Sequence, residues 1–314
     1  MSESRTARVR VPASSANVGA GYDCVGFAVD RWLTASVTAS ADSTRGAPEV
    51  MIRRNGTLAS LKVATANDAV FVGFSAACTA RRHALPRRLE FDVDSEIPTS
   101  RGLGSSTAAL VAGASLANAV LELGLDRRAL AMLCAEIEGH PDNVAPAVFG
   151  GAVLGVPKQG VGSRQWVFTA IDVHPSLAFA FVIPGVLIET AAARALLPHD
   201  VSHGVAVRAA GKAAALAHGL VTGDAALLRV ALDDVLHVPY RRHLVPGYTD
   251  VVSAACAAGA FGATLSGSGS TMLAISSRDD VEGVARAMRK AFADRGVAAE
   301  SFVQHGTITI DHAS

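Results

Sequence analysis

An α+β fold in two parts that face a cleft is what this sequence predicts, on three observations. Its 314 residues suit two domains with ample core. Stretches that alternate apolar and polar residues are interleaved with stretches of helical period. Glycine and polar residues cluster at 160–164, GVGSR, and divide residues 1–160 from 161–314.

The elements follow in order. A first strand enters at Ala7 or Arg8 and breaks at Pro12, which leaves PASSANVGAGYD as a loop. An apolar segment at 24–29 precedes a second strand in LTASVTAS, and 42–46 and 53–56 read as turns. NDAVFVGFSAACTARRH has helical period at Val70, Phe74, Ala77 and Cys78. RLEFDVDSEIP alternates, with Leu89, Phe91 and Val93 on one face, as a half-exposed strand does. A helix follows at 105–123 with Gly124 as its stop, then a second over RRALAMLCAEIEG. Strands are expected from the glycines after HPDNVAPAVF to about Pro157. The second half gives a strand at 177–183, helices at 190–196, 201–220 and 225–234, and a further helix near 248–258. A single strand over ATLSGSGSTMLAIS, a helix at 280–295 and a strand at 301–310 complete the chain.

Composition narrows the function. Half of the residues are hydrophobic and only 5% aromatic, so the core is built of Ala, Val and Leu. Lys plus Arg equals Asp plus Glu at 28 each, so no nucleic-acid partner is expected. No apolar run reaches the ~18 to 20 residues of a membrane span, so no membrane partner is expected either. The opening MSESRTARVRVPASS lacks the apolar stretch of a secretory signal. Cys24, Cys78, Cys134 and Cys256 are scattered without a C-x-x-C pair, which argues against zinc and for reduced thiols in a cytoplasm.

Glycine-rich segments lie at 17–26, 101–107 and 266–271. The middle one, G-L-G-S-S-T, opens a helix. Glycines that aim backbone N–H groups, followed by the positive end of a helix dipole, make a phosphate site. The known alternatives fail on their residues. Walker A needs G-K-[ST], where Ser105 follows Gly104; a dinucleotide loop needs glycine where Thr107 stands; H-R-D and D-F-G are absent. Gly104-Ser105-Ser106-Thr107-Ala108 approximates a hydrolase elbow but lies about ten residues beyond the strand that should carry it. A phosphate loop without lysine calls for a divalent cation, which Ser106 and either Glu136 or Glu138 would hold. In EGHPDNVAPAVFGG, Asp142 suits a helix cap, Pro146 a first turn, and His140 a structural or capping role. Thr190 and Arg194 share one helical face, and Arg241 and Arg242 sit between prolines. Arginines so placed suit a carboxylate or a phosphate.

Six segments, VPASSANVGAGYDCVGFAV, EIPTSRGLGSSTAALVAG, EGHPDNVAPAVFGG, TAAARALLP, HVPYRRHLVPG and GATLSGSGST, resemble the GHMP kinase superfamily over nearly the whole chain. SSANVGAGYD, HPDNVAP and T-x-x-A-R…L-P are similar to its homoserine kinases. The resemblance implies an N-terminal nucleotide-binding α/β domain, a ferredoxin-like C-terminal α+β domain, and a site in the cleft between them. It implies ATP with Mg²⁺, L-homoserine as acceptor, a place in threonine biosynthesis and a homodimer. Pro98, Arg101, Gly102, Leu103, Gly104, Ser105, Ser106 and Thr107 would bind the nucleotide, Gly102 to Ser106 wrapping its phosphates, with Asn67 near adenine. Ser106 and Glu136 would ligate Mg²⁺, with Glu138 the alternative. Asp23 would take the substrate ammonium, Arg194 and Arg241 its carboxylate, and Asn17 and Asn143 its hydroxyl end. Asn17, Asn143 and Arg194 would thus carry catalysis, without a strong side-chain base unless Asp142 serves. Gly267, Ser268 and Gly269 would bring a loop of the second domain close to ligand. Ala20, Tyr22 and the SGSGST loop depart from the commoner Pro, Phe and SGAGPT and remove no proposed ligand group.

Overall fold

The structure, a computed structural model, describes residues 4–40, 48–158 and 165–310. The turn expected at 42–46 and the boundary expected at 160–164 lie wholly or mainly outside the described residues.

Strand β1 (Ser4–Ala16) pairs antiparallel with β2 (Val25–Ser40), from Ser4 opposite Ser40 to Ala16 opposite Gly26. The strand does not break at Pro12. β1 pairs with β2 alone, so the missing N–H of Pro12 costs no second ladder, and the register shift between Pro12 and Ala13 absorbs the kink. Residues 53–56 likewise belong to a strand, β3 (Glu49–Gly56), which ends where Gly56 takes φ +60°. Helix α1 (Ala69–Ala80) connects it to its parallel neighbour β4 (Arg88–Ser95).

Helix α2 (Ser105–Val120) is almost wholly buried, with 11 of its 16 residues inside. Its alanines and glycines answer to this position. A Cβ on Gly113 would lie 1.9 Å from the Val70 carbonyl of α1, so the two backbones touch. It ends at Val120 rather than at Leu123 because Glu122 already takes φ +52°. Helices α3 (Arg127–Glu138) and α4 (Val144–Phe149) lead into β5 (Ala152–Lys158) and β6 (Gln165–Ile171). The first sheet runs β3-β4-β2-β5-β6, with β1 also on β2. β6 has no counterpart in the sequence-based expectation, since its exposure follows no clean alternation.

Strand β7 (Leu177–Pro184) opens the second half, and α5 (Thr190–Ala195), α6 (His203–Thr222), α7 (Ala225–Ala231), α8 (Val238–Arg241) and α9 (Tyr248–Ala257) follow. ATLSGSGSTMLAIS is two strands, β8 (Gly262–Leu265) and β9 (Met272–Ser277), because the glycine-rich segment between them leaves the sheet as a loop. Helix α10 (Val281–Asp294) and β10 (Ala299–Gln304) close the unit, and residues 305–310 are not strand. The order β10-β7-β9-β8, all antiparallel, with a β-α-β-β-α-β succession, is the ferredoxin-like arrangement.

Both faces of β7 are buried. Leu177, Phe179, Phe181 and Ile183 join the large core of the first half, while Ala178, Ala180 and Val182 join the core under α9 and α10. The Phe27 and Phe179 ring centroids are 4.9 Å apart, so the two halves share apolar contact and the cleft between them has a fixed floor. Among the described residues, no helix is long and apolar enough to cross a membrane.

Candidate active site

The three glycine-rich segments converge. Gly267 N donates to Ala16 O at 2.8 Å, Ser14 N to Leu103 O at 3.1 Å, and Thr271 N to Arg101 O at 3.1 Å. Ser266 Oγ lies 2.8 Å from Ser15 Oγ and donates to Gly102 O at 2.7 Å. The end of β1, the loop before α2 and the loop between β8 and β9 therefore form one surface.

That surface bounds a cavity of about 270 Å³ lined by Pro98, Arg101, Gly102, Leu103, Gly104, Ser105, Ser106 and Thr107 on one side. Asn17, Glu138, His140, Asn143, Arg194 and Arg241 line the other, and Thr190, Gly267 and Ser268 the rim. Gly104 is the N-cap of α2 at φ +67° and offers no side-chain cap, so the first N–H groups of a buried 16-residue helix face the cavity. A Cβ there would stand 2.2 Å from Ser14 Oγ. Arg101 spends one donor on the Pro184 carbonyl, which pins the loop to the end of β7.

A second cavity, about 240 Å³ and mainly apolar, adjoins the first through Ser100, Ser105 and Ser106. Ile52, Leu58, Leu61, Val63 and Ala109 line it, and Asn67 stands at its edge. The sequence signals only Asn67 here. Ile52 comes from a strand, β3, that reads in part as a turn, and 57–64 carry no periodicity. Asp68 caps α1 by accepting from Val70 N and takes two hydrogen bonds from Arg54, at 2.9 and 2.6 Å, which braces this wall.

Of the two glutamates considered beside Ser106, only Glu138 lines the cavity with it. Glu136 is exposed on α3, whereas Glu138 lines the cavity. Two residues along a helix turn the side chain through about 200°, so only one of the pair faces inward. Burial raises the Glu138 carboxyl above the usual carboxylate range, and the Thr107 hydroxyl hydrogen-bonds it.

His140, expected to be structural, also lines this cavity. Its Nδ1 lies 2.7 Å from Asp142 Oδ1, and its Nε2 lies 3.9 Å from Glu138. Burial would lower this imidazole, but the hydrogen bond and charge of Asp142 outweigh it and raise its pKa. Asp142 itself is 1% exposed and does not line the cavity; its Oδ1 also accepts from Asn143 N. Asn143 in turn accepts from Ser14 Oγ at 2.9 Å.

The polar wall opposite is built around Tyr22. Arg194 donates to both carboxylate oxygens of Asp23, at 3.0 and 2.8 Å, and Asn17 Oδ1 accepts from Asp23 N at 2.8 Å. Asp23 raises the already high pKa of Arg194. Arg241 is 1% exposed and donates to Ala193 O, with His237 Nδ1 3.4 Å away. Burial lowers its pKa. The Tyr22 ring stacks on His237 at 5.2 Å and lies within 6 Å of both guanidiniums, at 5.8 Å for Arg194 and 5.4 Å for Arg241. Ser14 and Tyr22 lie within the SSANVGAGYD segment, but no site role is expected of them from the sequence.

Comparison with known proteins agrees with this geometry. The family of GHMP kinase N-terminal domains matches residues 71–151, and that of GHMP kinase C-terminal domains matches 214–294. A homoserine kinase of Picosynechococcus is 35% identical over 96% of this chain and 98% of its own. One from Gloeobacter violaceus is 38% identical over 89% of this chain and 91% of its own. A crystal structure of homoserine kinase from Cytophaga hutchinsonii superposes with a TM-score of 0.81 at 29% identity, covering 98% of each chain. Family models matched in both halves, and relatives at least 35% identical over nearly the full length, place the chain in the GHMP kinase superfamily, among its homoserine kinases.

Proposed function

We propose that this protein transfers the γ-phosphate of ATP to the hydroxyl of L-homoserine, giving O-phospho-L-homoserine for threonine biosynthesis. One observation carries this: an apolar cavity and a polar cavity meet at Ser105 and Ser106, on the N-terminus of α2. The apolar one suits adenine, the helix terminus suits the phosphates, and the polar one offers two arginines to an amino acid, with Asp23 beside it on Arg194. Residues 1–160 supply the nucleotide side and 161–314 the arginines that close on the acceptor.

The donor set fits magnesium. Ser106 and Glu138 present only oxygen, and the Glu138 carboxyl is buried, so it gains from a cation. When bound, Mg²⁺ neutralises charge on the β- and γ-phosphates. The chain's own residues do the positioning. Backbone N–H groups of the loop and of α2 hold the phosphates. Asp23 takes the acceptor ammonium, while Arg194 and Arg241 take its carboxylate. Asn17 and Asn143 orient its hydroxyl toward the phosphorus. Asp142 does not line the cavity and its Oδ1 is taken by His140 and Asn143, so this reading assigns it no role as base. Rate enhancement then comes from in-line placement and charge stabilisation. The enzyme works in the cytoplasm as a homodimer, which light scattering at graded concentration tests.

The product is the test. With ATP, Mg²⁺ and L-homoserine, ³¹P NMR should show one phosphate monoester appearing in step with ADP. ADP without the monoester, or neither, would contradict the proposal.

A further inference from the structure

The Asp23–Arg194 pair raises a question about how the acceptor enters. In the free site these residues, both assigned to the acceptor, satisfy one another through two parallel hydrogen bonds of 3.0 and 2.8 Å. The pair ties the loop after β1 to α5, across 171 residues of sequence. Beneath it, Arg241 is 1% exposed, and among the described residues no carboxylate lies within ion-pair distance of its guanidinium. The Tyr22 ring holds both guanidiniums against the same wall.

A ligand must therefore compete with an existing ion pair. A zwitterion replaces both halves at once: its ammonium takes the place of Arg194 on Asp23, and its carboxylate takes the place of Asp23 on Arg194. No charge is left alone. A ligand with a single charge that opens the pair strands the other partner, which stays against the protein wall at 42% exposure for Arg194 or 29% for Asp23 and regains only part of its hydration.

We infer that the Asp23–Arg194 pair is an exchange clasp that selects acceptors carrying both an ammonium and a carboxylate, so that the two charges act cooperatively rather than additively. This deepens the reading of the site as one for an amino-acid alcohol, and rests on it. Arg241 stays available to a carboxylate without opening the clasp, so an acceptor with only a carboxylate is the better of the two singly charged kinds.

The test is a cycle on the acceptor. Values of kcat/KM are measured for wild-type enzyme with L-homoserine, 3-aminopropan-1-ol, 4-hydroxybutanoate and propan-1-ol. The clasp predicts that the product of the homoserine and propanol values exceeds the product of the other two by more than about tenfold. In the near-isosteric double variant Asp23→Asn/Arg194→Gln that ratio should fall to about one. A ratio of about one in the wild type overturns the clasp, as does a ratio unchanged in the double variant. The wild-type cycle decides alone if the variant does not fold. Absence of any turnover of homoserine is a separate outcome, which overturns the kinase assignment and the clasp with it.

Discussion

The hydroxyl of Ser14 donates to Oδ1 of Asn143 over 2.9 Å, across 129 residues of sequence. That bond occupies the carbonyl end of the Asn143 side chain, so what the residue has left to offer the cavity it lines is its amide N–H. Asn143 is then a donor to the reacting oxygens, not an acceptor of their proton. Asn143→Ala should lower kcat by about 10²-fold or more, as loss of a single preorganised donor does. The KM for ATP should change little. Ser14→Ala, which frees the amide to rotate, should lower kcat less and in the same sense. Steady-state kinetics with both variants checks this.

Glu136 and Glu138 give a clean contrast. Glu138→Gln should raise the Mg²⁺ concentration needed for half-maximal rate and lower kcat. Glu136→Gln, on the exposed face of α3, should leave both near wild type. A magnesium titration of each variant tells them apart, and an effect confined to Glu136→Gln would reverse the assignment.

Much of this was legible from residues alone. The loop proposed for phosphate is legible because glycines, hydroxyls and a helix start are adjacent in sequence at 101–107, and adjacency is what local patterns register. The choice between Glu136 and Glu138 was not legible, since it depends on where α3 lies against α2. Nor was Tyr22, whose role comes from three elements meeting: the loop after β1, α5 and α8. The strand through Pro12 was misread because local chemistry disfavours proline in a ladder, and only the topology makes β1 an edge. The break between β8 and β9 is not legible because SGSGST lies between two short stretches that each suit a strand, ATL and MLAIS.

Gly104→Ala should damage the phosphate site directly. At φ +67° an alanine costs roughly 1–2 kcal/mol, and its Cβ would meet Ser14 Oγ at 2.2 Å. The expected result is a KM for ATP raised at least about tenfold with a lower Tm. Adding Ser14→Ala should relieve the clash but not the backbone strain, so Tm recovers only in part.

Alkaline pH should unfold the protein through its thiols. Burial pushes the Cys24 and Cys78 thiols up to about 11. It pushes the Cys134 thiol up to about 12. Below the unfolded thiol pKa of about 8.5 both states are protonated and these groups add no pH dependence. Above it the folded state binds more protons than the unfolded one, so stability falls as pH rises. The thiol contribution to Tm should be level to about pH 8.5 and decline toward pH 11, less steeply in Cys134→Ala. At neutral pH the exposed Cys256 should be alkylated first, which mass spectrometry reads.

The most direct measurement is Mg²⁺-dependent ADP release with L-homoserine, L-serine, L-threonine and mevalonate, for wild type and Arg241→Ala. The account predicts turnover selective for homoserine, and a variant that loses it mainly through a higher KM for homoserine. Nucleotide binding without ADP release from any of the four would contradict it, as would an acceptor KM indifferent to Arg241.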